Sequence, residues 1–333
     1  MEKFYVGIDL GGTSVRIASC DGHSQDISQI CKKDVVRRES PVEEIEETLI
    51  PLIDDICERK KHEGKRIDGI GIAMAALFER DTGVITNWPN NSKYKNFAIR
   101  QYFQNRYGVP VVLEDDANAA ALGEQFCGAG RTYSDLIYVT VGTGIGSGII
   151  INNTLVTGVH GWAGELGHIR VVGENAQCTC GAKGCLQALA CGPVIFREVQ
   201  KTNFYKQCEK PSELTLQKCV AYARQGNEEL RQIFCRAGNY IGGALANLVI
   251  LLDIPLIIVG GGVAQAGEIL LGPIRDAAAR SLGNRRDICI VPSNLNDKNG
   301  VIGALVLAEK RAYIGKGRSS YDVGKEEREY CNY

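Results

Sequence analysis

Charge imbalance is what this sequence most plainly lacks. Its 38 Lys and Arg against 39 Asp and Glu leave a formal net charge of -1, so bulk electrostatics draw it neither to a nucleic-acid backbone nor to an anionic membrane surface. No unbroken apolar run approaches the roughly 20 residues of a membrane-spanning helix. The opening Met1-Glu-Lys-Phe-Tyr-Val-Gly-Ile-Asp9 has neither the basic stretch and apolar core of a secretory signal nor a small-residue cleavage site. Two nucleotide-binding signatures are also missing. There is no G-x-x-x-x-G-K-[ST], and no G-x-G-x-x-G that opens a helix. Cysteine is plentiful at 13, but the count is odd and Cys20, Cys31, Cys57, Cys208, Cys219 and Cys235 are scattered. That is the pattern of reduced thiols in a cytoplasm, not of a disulfide framework. What remains is a 333-residue chain, 44% hydrophobic and 23% charged, with enough length for two lobes and a composition suited to a small neutral or phosphorylated ligand.

The densest chemistry lies between His168 and Cys185. One imidazole and three thiols, His168, Cys178, Cys180 and Cys185, fall within 18 residues, with Gly181 and Gly184 letting a short loop turn around an ion. This is a tetrahedral zinc set. Four protein ligands leave no open position for water, so the metal is expected to be structural. Gly164-Glu165-Leu-Gly-His168 runs directly into it, so the metal would fix where Glu165 points.

Residues 4–8 and 15–20 read as strands joined by the tip Asp9-Leu-Gly11-Gly12-Thr13-Ser14. Adjacent glycines let backbone N–H groups approach a phosphate, Thr13 and Ser14 add hydroxyl donors, and Asp9 is placed to hold magnesium through water. A tight hairpin needing glycine for positive φ would use the same letters. The theme returns over residues 136–151, with Gly142, Thr143, Gly144, Gly146 and Gly148 between two apolar runs. Two such tips, one per half, suggest a duplicated fold gripping one nucleotide from both sides. Asp115 and Asp116 stand where the strand 109–114 runs into a helix. One aspartate suffices as N-cap, which leaves Asp116 as a candidate general base. Gly260-Gly261-Gly262 after the strand 255–259 offers bare backbone to an adenine, or closes a compact turn. Trp88-Pro89-Asn90-Asn91 forms a turn whose amides serve sugar hydroxyls or merely close the loop.

A third strand is predicted near 27–36. Pro41 is predicted to open one helix with Ile45, Leu49, Leu52, Ile53 and Ile56 on its buried face and the acidic run Glu43, Glu44, Glu46 and Glu47 in solvent. Further helices are predicted near 186–200, 212–224, 227–252 and 300–311. Residues 1–116 with 300–316 would form a small lobe, 117–299 a large lobe carrying the zinc loop, and 317–333 a frayed polar tail.

Together Asp9-Leu-Gly-Gly-Thr13 with Arg16 following, Asp116-Ala-Asn118, Gly164-Glu-Leu-Gly-His168 and Cys178-Thr-Cys-Gly-Ala-Lys-Gly-Cys185 resemble the ROK family of sugar kinases over residues 5 to about 312. The resemblance implies an α/β fold of the duplicated actin/hexokinase type, ribonuclease H-like, with two lobes and an interlobe cleft. It implies phosphoryl transfer from Mg-ATP to a sugar hydroxyl, O6 of glucose or a related aldohexose such as allose, with Asp116 as base. The ATP phosphates would lie at Asp9, Gly11, Gly12, Thr13 and Ser14 and at Gly142, Thr143, Gly144, Gly146 and Gly148, with Gly261 and Gly262 beside the adenosine. The sugar would meet Asn90, Asp115, Asp116, Glu165, His168 and Gln187, His168 doing double duty as a zinc ligand. A homodimer is also implied.

Three departures stand on the sugar side. Asp115 replaces a frequent Asn, Gln187 replaces a frequent Glu, and Met74-Ala75 replaces a frequent Pro-Gly. N-acetylmannosamine or fructose kinases are alternative members. ROK proteins also include sugar-responsive repressors, which carry a helix-turn-helix ahead of the first tip; the eight residues before Asp9 leave no room for one. An actin-like assembly protein would leave Glu165 and the zinc loop unexplained.

Overall fold

The computed structural model describes residues 1–22, 27–89, 91–171, 173–283 and 288–314. The predicted tail over 317–333 lies outside them. Contacts group the chain into two units, one of Met1–Ser134, Ile150–Ala163 and the chain from Asp297 onward, the other of Asp135–Ile149 and Gly164–Asn296.

The chain opens with β1 (Glu2–Leu10), β2 (Ser14–Asp21) and β3 (Cys31–Asp34), followed by α1 (Pro41–Thr48), α2 (Ile50–His62) and β4 (Lys65–Met74). A short pair, β5 (Leu77–Phe78) and β6 (Ile85–Asn87), precedes α3 (Ile99–Tyr107), β7 (Val111–Glu114) and α4 (Asp116–Cys127). The sheet order is β3-β2-β1-β4-β7, with antiparallel pairing on the β3 side of β1 and parallel pairing on the other. Val6 and Ile8 of β1 and Ile70 and Ile72 of β4 are completely buried in one core with Ile45, Leu49 and Ile53. Because the sheet is covered on both faces, its central strands read as unbroken apolar runs instead of alternating ones.

The plan then repeats. β8 (Leu136–Val141) and β9 (Ile145–Ile151) form a hairpin and β10 (Thr154–Leu155) follows. The helices α5 (Gln187–Ala190), α6 (Gly192–Gln200), α7 (Asn203–Lys206), α8 (Leu216–Arg224) and α9 (Glu228–Leu252) lead to β11 (Leu256–Gly260), α10 (Glu268–Leu282) and β12 (Cys289–Pro292). The order β10-β9-β8-β11-β12 matches the first sheet, with β11 parallel to both β8 and β12.

The last helix, α11 (Asn299–Ile314), belongs to the first unit. Glycine lets it lie flush on the sheet and on α4. A Cβ on Gly71 would come 1.9 Å from the Ala304 carbonyl, and one on Gly303 would come 1.7 Å from the Ala119 carbonyl. This close approach draws the ends of β1, α4 and α11 together.

Two expectations need correction. The helix predicted from Pro41 is two helices, because Pro51 at the start of α2 cannot donate to residue 47 and its ring clashes there. The third strand is shorter than 27–36, with Ile27 making only an isolated bridge to Cys20. By length and composition alone α9 is able to cross a membrane. Its stripe Ile233, Ala237, Ile241, Leu245 and Val249 is instead buried, and the helix packs along α10 as a core element.

Candidate active site and metal centre

In the first unit, strand pairing sets Asp9 opposite Arg16 across the β1–β2 hairpin. One terminal nitrogen of Arg16 lies 3.4 Å from Asp9 and the other 2.9 Å from Asp297. Burial, and next the charge of Asp116, push the Asp9 carboxyl up to about 6, against the pull of Arg16. Gly300, in the first turn of α11, is so close that a Cβ there would meet Asp9 Cγ at 3.0 Å. Asp9, Arg16, Asp116 and Asp297 therefore form one charged cluster. Arg16 was visible as the residue following the first tip. Asp297 carries no motif and reaches the cluster only through α11.

The Asp115-Asp116 pair divides its work. Asp115 caps α4, its Oδ1 accepting the Ala117 N–H at 3.0 Å, while Asp116 is the first helical residue.

The pKa of Asp9 carries a stability consequence. Its folded value of about 6 lies above the ordinary 3.8, so the group favours the fold fully below about 3.8, and that advantage is lost as pH rises through about 6. Asp9→Asn removes the ionised form altogether. Relative to wild type, the variant is expected to gain up to about 3 kcal/mol more at pH 8 than at pH 4. Thermal unfolding at the two pH values, without nucleotide or divalent cation, checks this; equal shifts at both would contradict it.

Asn90 lies outside the described residues. Its neighbour Asn91 is buried and donates to Glu44 at 2.9 Å, as do Lys93 at 2.6 Å and Tyr94 at 3.2 Å. Glu44 is thus not the solvated residue its acidic run implied; it is 2% exposed. Burial opposes its charge, but hydrogen bonds from Lys93 and Asn91 outweigh that and hold the carboxyl below the usual range.

In the second unit the tip after β8 is closed by the Gly142 N–H donating to the Gly144 carbonyl at 2.9 Å. None of Gly11, Gly12, Gly142 and Gly144 has positive φ, so a strained turn does not account for them. Gly146 and Gly148 lie within β9 instead of at the tip. Gly261 does need to be glycine, with φ +90 and a Cβ that would meet the Val141 carbonyl at 2.5 Å, whereas Gly262 faces open space. Val263 N–H donates to that same carbonyl at 2.9 Å, lacing the turn after β11 to the base of the tip. The chain there enters a 3₁₀ turn, Ala264–Ala266, before α10 begins.

A 3₁₀ turn, Leu166–His168, carries Glu165 at its start. It lies flat on β9, where a Cβ on Gly164 or Gly167 would sit 2.4 Å from the Ser147 carbonyl or 2.1 Å from that of Ile145. Ser147 donates to the Gly164 carbonyl at 2.6 Å. His168 shows different neighbours on its two ring nitrogens: Nε2 is 3.9 Å from Glu165, and Nδ1 is 3.8 Å from Cys178 Sγ. Cys180 Sγ and Cys185 Sγ are also 3.8 Å apart, and all four ligand atoms lie within 4.8 Å of one another. A disulfide would need about 2.05 Å. Zinc at about 2.3 Å from each sulfur requires tetrahedral S–S edges of about 3.8 Å, so spacing and donor chemistry both fit zinc. Hydrogen bonding from the Ala182 backbone, and then from Cys178, holds the Cys180 thiol below its ordinary range. The Gln187 carbonyl accepts the Ile145 N–H at 3.0 Å, and its amide donates to Thr179 at 3.5 Å. Gln187 therefore links the glycine tip to the cysteine loop.

The ROK family model matches residues 5–311. The glucokinase of Streptomyces coelicolor is 31% identical over 318 residues, 92% of this chain and 97% of that protein. The xylose repressor of Caldicellulosiruptor bescii is 29% identical over 91% of this chain and 77% of its own length. The solved ROK hexokinase of Thermus thermophilus matches with a TM-score of 0.80 at 29% identity, covering 93% of this chain and 99% of that one. A ROK family glucokinase from Streptomyces griseus, in complex with glucose and AMPPNP, matches with a TM-score of 0.75 at 32% identity, covering 92% and 99%. The two mixed α/β units with their repeated five-stranded sheets are the duplicated actin/hexokinase-type fold. With the family model spanning nearly the whole described chain, and with the tips, the aspartate pair and the cysteine loop all inside it, this protein belongs to the ROK family.

Proposed function

We propose that this chain is an ATP-dependent hexose kinase that transfers the γ-phosphoryl group of ATP to O6 of glucose. The observation that carries this reading is Asp116, the first residue of α4 where it follows β7, whose charge acts on Asp9 at the end of β1. In this reading Asp116 accepts the proton of the sugar hydroxyl as its oxygen attacks the γ-phosphorus, and ADP leaves. The Gly11–Ser14 and Gly142–Gly144 tips hold the phosphates by backbone N–H groups, and Gly261 and Gly262 give bare backbone to the adenosine. Magnesium bound with ATP would supply positive charge at the phosphates, with Asp9 as its protein partner. Glu165, Asn90 and the Nε2 side of His168 orient the sugar, while Nδ1 of His168, Cys178, Cys180 and Cys185 hold a structural zinc. Positioning and charge stabilisation dominate phosphoryl transfer. Holding the two substrates in line contributes roughly 7 to 11 kcal/mol, more than the base itself.

Glucose is chosen over allose because two of the three similar kinases named above are glucokinases, one of them bound to glucose. A sugar-responsive regulator is the second reading, favoured by the similarity to a xylose repressor. A coupled ADP-release screen over glucose, allose, mannose, fructose, N-acetylmannosamine and N-acetylglucosamine separates them. Glucose is expected to give the highest kcat/KM. Calorimetric glucose binding with no sugar-dependent ADP release would replace the kinase by the regulator.

A further inference from the structure

We infer that Arg80 is a positioning residue that fixes the loop around Gly161 and the first turn of α4 as one piece; this rests on the kinase reading above. Arg80 lies in the connection between β5 and β6 and belongs to none of the sequence motifs. Its two terminal nitrogens each donate to a separate oxygen of Glu114 at 2.8 Å, a bidentate fork that a lysine cannot reproduce. Glu114, the last residue of β7, is completely buried. Its Oε1 also accepts the Asp115 N–H and the Asn118 side-chain amide, both at 3.0 Å. These contacts bracket Asp116 in the chain, so the guanidinium fixes through Glu114 how that turn is held. On its other side Arg80 lies against Gly161. A Cβ there would come 2.4 Å from Arg80 Nε, and the residue sits at φ +78. The Gly161 loop leads within four residues to Glu165. One cation thus ties the segment holding the proposed base to the segment that runs into the proposed sugar contacts.

The test uses Arg80→Lys, which keeps the charge and loses the fork, with Gly161→Ala as a second variant that keeps both Arg80 and Glu114 in the chain but drives a Cβ against the guanidinium. Both are expected to lower kcat with glucose by about 10- to 100-fold and to raise the glucose KM, with the ATP KM within about twofold of wild type. A readout independent of turnover is available because the chain has two tryptophans, Trp88 at 1% exposure and Trp162 on this loop at 61%. Time-resolved anisotropy of the quencher-accessible Trp162 is expected to show faster local motion in both variants. A folded Arg80→Lys protein of lowered melting temperature, with unchanged glucose KM, kcat and Trp162 motion, would reduce Arg80 to a structural ion pair and overturn the inference. If wild type itself releases no ADP in response to any hexose, the kinase reading fails separately, and the Trp162 measurement alone decides whether Arg80 holds the loop.

Discussion

Replacing Asp116 with alanine is expected to lower hexose-dependent ADP release by about 10²- to 10⁴-fold, the typical contribution of a positioned general base. Glucose affinity should stay within about threefold, because only an interaction made in the transition state has been removed. The neighbouring substitution separates capping from base. Asp115→Ala deletes the N-cap of α4 and should cost about 1 kcal/mol of stability; as an expected sugar contact it should act on the glucose KM more than on kcat. The Asp116 variant has a second signature. Its charge is the next cause, after burial, of the raised Asp9 pKa, so Asp9 should titrate lower once Asp116 is gone. Single-turnover kinetics and glucose calorimetry check the first expectation, and carboxyl NMR titration the second. Near wild-type turnover in Asp116→Ala would remove this residue from the role of base.

Cys180→Ser is expected to lose about one bound zinc per chain and glucose binding together. Structural zinc sites contribute on the order of 10 kcal/mol to the segments they organise, and this segment forms no helix or strand of its own among the described residues. Among the described residues between the 3₁₀ turn Leu166–His168 and α5, the strand-type pairing is two isolated bridges, Arg170 with Cys185 and Gln177 with Lys183. His168 ends the turn that Glu165 starts, so freeing its Nδ1 from the metal frees the carboxylate as well. The loop holds no helix or strand among its described residues, so far-UV circular dichroism should change little. Elemental analysis and glucose calorimetry on the same sample test the coupling. Metal-free protein binding glucose with full affinity would break it.

Features written in neighbouring letters were legible in the sequence. The four ligand side chains span 18 residues, and a loop that short has few ways to arrange them other than around a centre. The glycine tips were legible too, although Gly11, Gly142 and Gly144 do not serve positive φ: a Cβ on Gly11 would meet the Ser14 carbonyl and one on Gly144 the Gln187 side chain, while Gly142 faces open space. The duplication showed in the recurrence of those tips, and the matching strand order of the two sheets came only with the structure. The break between α1 and α2 was also present in the letters, as Pro51, and the apolar periodicity running through it masked it.

Three charged residues were decided only by the tertiary structure. Glu44 sits in a run of glutamates that looks solvated, and its burial depends on Asn91, Lys93 and Tyr94 arriving from a distant turn. Asp297 reaches Arg16 across 281 positions, and Arg80 reaches Glu114 across 34. The physical reason is the same in each case. Metal ligation, capping and turn geometry are satisfied by residues close along the chain, so their spacing is the signal; an ion pair needs only that two side chains meet in space, and a lone Arg or Glu is the same letter in water or in a core. The sequence by itself determined the ligand set, the tips and the aspartate pair of this protein. Packing of α11 through Gly71 and Gly303, and of Arg80 against Glu114 and Gly161, decided which charges stand beside them.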